Sequence, residues 1–342
     1  MTRSQLIAAG LPLLLAGCGA STPPEEDLGP AAVEAAAATI TAQDMLDRIG
    51  VMAHDSMRGR ATPSPELDEV ANWIAREFEA MGLEPGGEEG GYLQRYEVPE
   101  TEGETAPNVV GILRGRDPEL RDEYLVFTAH MDHVGVRRPD ESGDSIYNGA
   151  DDDASGTAAI MEVAEAMTSL PRPPRRSLIF VAVSGEERGL WGSRHFVLEP
   201  PVPVTSMVAN LNADMVGRNW SDTIVAIGKE HSSLGETLER VNAARPDLGM
   251  TAIDDIWPDE RFYYRSDHYN FARNGVPILF FFNGTHAEYH RPADEVELID
   301  GEKTARIGQL LFYLGLEVAE APDAPAWNPD SYEQIVESAG RR

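Results

Sequence analysis

The chain has 342 residues, 42% of them hydrophobic and 25% charged, an ordinary globular composition that excludes a disordered or fibrous protein. Its 58 acidic residues outnumber 28 basic ones, and the formal net charge of −30 excludes a general nucleic-acid binder and argues against docking on an anionic membrane through a basic face. A single cysteine excludes a disulfide framework and a Cys-rich zinc site.

The amino terminus reads as an export signal. Arg3 precedes an apolar run from Leu6 to Leu15 that is too short to span a bilayer, and small residues Ala16 and Gly17 lead into Cys18. Leu15-Ala16-Gly17-Cys18 resembles the bacterial lipoprotein processing box. That resemblance implies a signal peptide over 1–17, cleavage before Cys18 and lipidation of its thiol, anchoring the protein on the periplasmic or outer side of a bacterial membrane. A plain secretory signal with a chance cysteine is the alternative. Residues 18–38, rich in Ala, Pro and Glu and without aromatics, read as a flexible tether. The folded domain is expected over 39–321, followed by a C-terminal extension over 322–342.

From Thr41 the pattern turns helical. Thr41 to Asp44 approximates a capping start, and Met45, Ile49 and Met52 share a stripe. Pro63 and Pro65 break the chain, a second helix is predicted from Leu67 to Met81 with Gly82 as its stop, and Gly86 to Gly91 is a loop. Strands are predicted at 109–113, 124–129, 178–183, 207–211, 223–227 and 278–282, with a helix from Thr157 to Met167 between two of them. Strands alternating with helices predict one α/β domain of three layers, a mostly parallel mixed sheet with helices on both faces. Ligands of such sheets sit beyond the carboxyl ends of the strands.

The chemistry-bearing residues fall at those ends. The 124–129 strand runs into His130-Met131-Asp132-His133, the 178–183 strand into Ser184-Gly185-Glu186-Glu187, and the 207–211 strand into Asp214. Tyr289-His290 follows the last strand after a short loop, and Asp151-Asp152-Asp153 opens the helix at Thr157. Singly, these are capping aspartates or surface histidines; gathered at one sheet edge, they must be solvated, paired or bound to metal. A single metal cluster is the economical reading. Period-two alternation puts His130 and Asp132 on one face, so Asp132 is expected to orient the His130 ring, and it turns His133 away. His286 is read as a loop residue beside Gly284 and Pro292, and His268 as a supporting residue. The aromatics Trp257, Phe262, Tyr263 and Tyr264 suit either a side-chain pocket or core packing.

In order along the chain, His130-Met131-Asp132, Gly149-Ala150-Asp151-Asp152-Asp153-Ala154-Ser155-Gly156, Glu186-Glu187, Asp214 and Tyr289-His290 resemble the secreted bacterial zinc aminopeptidases with two co-catalytic metals. Their relatives include glutamate carboxypeptidases and glutaminyl cyclases. Asp55-Ser56-Met57-Arg58-Gly59-Arg60, Pro107 to Gly111 and Ser266-Asp267-His268 also look like this family. The resemblance implies two Zn²⁺ per chain, one held by His130 and Asp214, the other by Glu187 and His290, with Asp152 bridging them. It implies Glu186 as general base and acid, Tyr289 as a hydrogen-bond donor to the oxyanion, and peptides as substrates, cleaved from the amino end. Three alternatives stay open: a glutaminyl cyclase, a carboxypeptidase using Arg261, Arg265 or Arg291 for the substrate carboxylate, and a non-catalytic binding protein on a retired hydrolase fold.

Overall fold

Period-two alternation decides how the central strands are buried. A computed structural model of the chain describes residues 28–338. Helices α1 (Pro30–Ala37), α2 (Ala42–Met52) and α3 (Pro65–Ala80) precede strands β1 (Glu84–Pro85), β2 (Leu93–Glu97), β3 (Thr105–Leu113) and β4 (Tyr124–His130). A short hairpin, β5 (Gly135–Val136) and β6 (Ile146–Tyr147), leads to α4 (Gly156–Ser169), β7 (Ser177–Val183), α5 (Trp191–Leu198), β8 (Met207–Ala213) and β9 (Thr223–Ile227). The chain continues through α6 (Leu234–Ala244), β10 (Thr251–Ile253), α7 (His268–Ala272), β11 (Ile278–Phe282), α8 (Gly301–Glu320) and α9 (Pro329–Tyr332).

Nine strands form one sheet in the order β1-β3-β7-β4-β8-β11-β9-β10, with β2 also paired to β3. The four central strands β7, β4, β8 and β11 are parallel. Antiparallel joints follow at β3 with β7 and at β9 with β11. The mixed three-layer sheet expected from the sequence is therefore parallel at its centre, where the carboxyl ends of four strands share an edge. Leu125, Phe127 and Ala129 of β4 and Leu178, Phe180 and Ala182 of β7 enter one core with α1, α2, α3, α4, α6 and α8. Tyr124, Val126, Ile179, Val181 and Val183 point the other way, toward Phe196 of α5 and Phe271 of α7. Each large apolar side chain fully buried in this way contributes about 1.5–3 kcal/mol, which fixes the strand register.

Local chemistry sets the helix ends. Thr41 Oγ1 accepts the Asp44 N–H at 3.2 Å and Ser64 Oγ accepts the Leu67 N–H at 3.0 Å. The Asp300 carboxylate accepts the Lys303 N–H at 3.0 Å. Such caps stabilise by roughly 1 kcal/mol each. Gly82, at φ +80°, supplies the left-handed residue that ends α3.

The described parts of both segments flanking the expected 39–321 domain pack against it. The described part of the 18–38 segment is not a tether, because Leu28, Ala36 and Ala37 are buried in the first core and Pro30 starts a helix there. Its alanines, read as tether composition, are small enough to pack closely. The extension beyond 321 packs on the domain: Trp327 Nε1 donates to Gly275 O at 2.9 Å and Ile335 is buried in the second core. The signal segment and Cys18 lie outside the described residues. Among the described residues no helix is long and apolar enough to cross a membrane.

His268, at the start of α7, is a buried neutral imidazole. Its Nε2 donates to Tyr263 O at 2.8 Å, its ring stacks on Phe280 at 4.3 Å, and its Nδ1 is buried without a hydrogen bond. Burial holds its pKa down to about 3. An unfolded histidine titrates near 6.5, so between pH 6.5 and 3 the unfolded chain binds the extra proton and stability falls as pH falls, by about 1.4 kcal/mol per unit. His268→Gln keeps an N–H for Tyr263 O and does not titrate. Urea unfolding from pH 7 to 4 is expected to show the wild type losing ground to this variant steadily below pH 6.5; a constant difference would remove His268 from the acid response.

Candidate metal centre

The shared carboxyl edge of β4, β7, β8 and β11 brings the acidic and histidine segments together. β4 ends on His130, the turn after β7 carries Glu186 and Glu187, β8 is followed by Asp214, and the loop after β11 carries Tyr289 and His290. Between β6 and α4, an irregular turn over Ala150–Ser155, non-helical at Asp152 and Asp153, pushes Asp152 into the middle of this group. Asp152 Oδ1 lies 3.2 Å from His130 Nε2, and Asp152 Oδ2 lies 3.0 Å from His290 Nε2. Around the first oxygen, Asp214 Oδ1 is 3.7 Å from His130 Nε2. Around the second, Glu187 Oε2 is 3.1 Å from His290 Nε2. One carboxylate thus gives an oxygen to each of two donor groups.

The three consecutive aspartates divide their work. Asp153 accepts N–H bonds from His130 at 3.1 Å, Gly156 at 2.9 Å and Met215 at 3.0 Å, tying the ends of β4 and β8 to the start of α4. Asp151 accepts from Gly217 N–H at 2.6 Å and Ser155 Oγ at 3.1 Å. Only Asp152 is left to face both donor groups, and its own N–H and that of Asp151 are held by the Asp294 carboxylate at 3.1 Å. Beneath the loop, Arg60 is fully buried and gives all its donors to main-chain oxygens. Nε reaches Met131 O at 2.7 Å, Nη1 reaches Met52 O at 3.2 Å and Asn148 O, and Nη2 reaches Gly149 O at 2.6 Å and Asp152 O at 3.4 Å. Gly149, at φ +59°, has no room for a side chain: a Cβ would sit 2.3 Å from Asp152 O and 2.4 Å from the His133 ring.

Further hydrogen bonds hold the side chains around these groups. The Asp132 carboxylate accepts from Thr62 Oγ1 at 2.8 Å and from the Glu186 N–H at 3.3 Å, so it fixes the turn that carries Glu186. Ser266 Oγ donates to Asp214 Oδ2 at 2.8 Å and itself accepts from Asn212 Nδ2 at 3.1 Å. Tyr289 stacks on His290 with ring centres 3.9 Å apart. It lines, with Glu186, Asp214, Met215, Phe262 and Phe282, a small cavity of about 50 Å³ beside His130 and Asp152.

The donor set fits zinc. Imidazole nitrogens and carboxylate oxygens are its ordinary ligands, and several buried carboxylates at this spacing need divalent positive charge to offset their repulsion. Burial raises the Asp152 carboxyl, but hydrogen bonds from His130 and His290 more than reverse this and hold it well below the usual carboxylate range. Burial pushes the Glu186 carboxyl well above that range, with His130 opposing and Asp267, Asp214 and Glu187 adding to it. Burial also raises the Tyr289 phenol, so its O–H stays protonated at neutral pH.

The geometry departs from the sequence reading in two places. His133 does not face away: β4 ends at His130, the alternation stops there, and His133 Nδ1 lies 2.9 Å from Glu187 Oε1. His130 Nδ1 is nearer the main-chain oxygen of Asp132, at 3.1 Å, than its carboxylate, at 3.7 Å. Asp132 orients the ring mainly through its backbone and spends its carboxylate on Glu186 and Thr62. His286 lies in a loop, as expected, and pairs with Asp151 at 3.2 Å rather than joining the donor groups. Arg60, Thr62, Asp294 and Asp153 carry the framework with no role assigned from sequence; Arg60, the last residue of a segment that resembles the family, was the one available signal.

Replacing Arg60 with Met is expected to cost about 3 kcal/mol or more, because the carbonyls it serves are buried and lose their donors together. Urea denaturation measures this; a loss under about 1 kcal/mol would show that those oxygens find other partners.

A family model described as "Peptidase family M28" matches residues 108–315. The chain is 28% identical over 297 residues to "Probable zinc metalloprotease" of Leptosphaeria maculans, covering 74% of this chain and 68% of that protein. It is 29% identical over 219 residues to "Aminopeptidase YwaD" of Bacillus subtilis, covering 61% of this chain and 44% of that one. It therefore spans about two thirds of the first relative's length and under half of the second's. The LapA aminopeptidase structure from Legionella pneumophila shares the fold, with a TM-score of 0.66 and 22% identity over 94% of this chain and 81% of that one. With the family match covering well over half of the sequence, the chain belongs to peptidase family M28.

Proposed function

We propose that this chain is a two-zinc exopeptidase that releases amino-terminal residues from peptides. The observation that carries the proposal is the Asp152 carboxylate, with one oxygen beside His130 and Asp214 and the other beside Glu187 and His290. Zinc ions held by these two groups would supply Lewis acidity toward the scissile carbonyl and acidify a water molecule near neutral pH. Glu186 borders the same cavity, and its raised pKa suits a group that takes a proton from the attacking water and returns it to the departing amine. Asp132 holds Glu186 in place through its N–H. Tyr289, kept protonated, donates to the oxygen on which negative charge develops. Met215, Phe262 and Phe282 provide an apolar wall for the substrate side chain. The carboxylates at the floor of the cavity attract a free α-ammonium group, which favours cleavage next to a free amino terminus. The relative named as an aminopeptidase supports the same choice.

The proposal extends to location. Export and anchoring through a lipidated Cys18 are supported by the apolar run ending in Leu15-Ala16-Gly17-Cys18. Cys18→Ala, expressed with the full leader, is expected to move the protein from the membrane fraction to the soluble one; retention in the membrane fraction would show that Cys18 is not the anchor.

For the chemistry, Glu186→Gln is expected to keep two zinc ions per chain and to lower kcat by about 10²–10⁴-fold on aminoacyl chromogenic substrates. Dialysis against a chelator should abolish wild-type turnover and zinc should restore it. Equal cleavage of N-acetylated and free substrates would exclude an aminopeptidase, and unchanged kcat in the glutamine variant would exclude Glu186 as the proton carrier.

A further inference from the structure

His133 is a buried imidazole with no ordinary explanation. Its side chain is fully buried, yet neither ring nitrogen makes a hydrogen bond. It does not meet apolar partners alone. Nδ1 faces two carboxylates, 2.9 Å from Glu187 Oε1 and 3.7 Å from Asp152 Oδ2, and the ring stands edge-on to His290, at 74° with centres 5.5 Å apart. The loop is shaped to admit it, since Gly149 leaves the space that a Cβ would take from the ring.

We propose that His133 Nδ1 is a fourth protein donor at the His290 metal position, which makes the two positions unequal. This inference rests on the two-zinc reading. Donor atoms of His133, Asp152, Glu187 and His290 all lie within 4.8 Å of one another. Four of the six separations among them are 2.9 Å for His133 to Glu187 Oε1, 3.1 Å for His290 to Glu187 Oε2, and 3.0 and 3.7 Å for His290 and His133 to the same Asp152 Oδ2. A tetrahedral zinc with nitrogen and oxygen ligands at about 2.0–2.1 Å requires edges of about 3.3–3.4 Å, the middle of that span. Four protein donors complete a tetrahedral shell, the pattern of a firmly held ion. The other position has His130, Asp152 and Asp214. Asp153 is also close, but both its oxygens are taken by main-chain N–H groups. Three donors leave a coordination position open. The His290 position is therefore the retained one, and the His130 position is the exchangeable one that admits water and substrate.

A hydrogen bond from His133 to Glu187 is the competing role, and the two are separable. His133→Asn offers an N–H toward Glu187 but is a poor zinc ligand; His133→Cys offers a thiolate ligand. The experiment is metal titration of the whole protein with Zn²⁺ and Co²⁺, with stoichiometry from equilibrium dialysis and visible absorption of the cobalt form, circular dichroism confirming that each variant is folded. The wild type is expected to bind two ions, one surviving chelator that removes the other. His133→Asn should lose affinity at the tight position by more than the ~10–100-fold that follows removal of an outer hydrogen-bond partner. His133→Cys should restore tight binding and add a sulfur-to-cobalt charge-transfer band in the near ultraviolet. Wild-type affinities in His133→Asn, or a cysteine variant without that band, would overturn His133 as a ligand while leaving the two-metal reading intact. A wild type that takes up fewer than two ions would overturn both.

Discussion

The structure is organised around a single problem in electrostatics, the gathering of buried carboxylates around Asp152. Asp132, Asp152, Asp153, Glu187, Asp214 and Asp267 are all largely excluded from solvent at one sheet edge. Their mutual repulsion in a poorly polarisable interior would unfold the loop unless each is neutralised or hydrogen-bonded. The fold answers in three ways. Main-chain N–H groups take Asp153 and the supporting Asp294. Imidazoles surround Asp152. A buried guanidinium, Arg60, sits beneath the loop and raises the local potential although it touches no carboxylate. Divalent cations held by the two donor groups would complete the neutralisation.

Much of this was legible in the sequence because it follows from periodicity. The strands at 223–227 and 278–282 run over the residues expected, and β4 and β7 extend their predicted spans by one residue. Parallel central strands buried on both faces read as continuous apolar runs, and the polar residues that end those runs must lie at the sheet edge. His130, Glu187, Asp214 and His290 were visible for that reason. Asp152 could be singled out from Asp151 and Asp153 only through a family resemblance, since nothing in three identical side chains says which two will bond to backbone.

The features that escaped are those set by irregular backbone. His133 was expected to follow the alternation of β4, but the strand stops three residues earlier, and a turn held by Met131 N–H to Val183 O, at 2.8 Å, rotates it inward. Asp294 lies more than 140 positions from the N–H groups it accepts, a pairing no local pattern announces. The positive φ of His290 and Met215, 54° in both, is likewise invisible in sequence, and each such residue costs about 1–3 kcal/mol that the surrounding contacts must offset. The alanines of α1 misled in the opposite direction: their composition is that of a linker, and their burial follows from smallness.

The same excess of negative charge that shapes the interior bears on substrate capture. At −30, the field of the whole chain repels anions and draws cations, so a peptide with a free α-ammonium approaches favourably, whereas one whose amino terminus is blocked loses that attraction. At physiological salt the long-range part is screened within about 8 Å, and discrimination falls to groups inside the cavity. There the candidates are few. Glu186 and Asp214 are the carboxylates that border it beside Asp152, and Asp214 keeps one oxygen occupied by Ser266. On the exopeptidase reading proposed above, an ammonium group that pairs with either one would be held in the same cavity as Asp152, which would set the first peptide bond, and not a later one, beside Glu186.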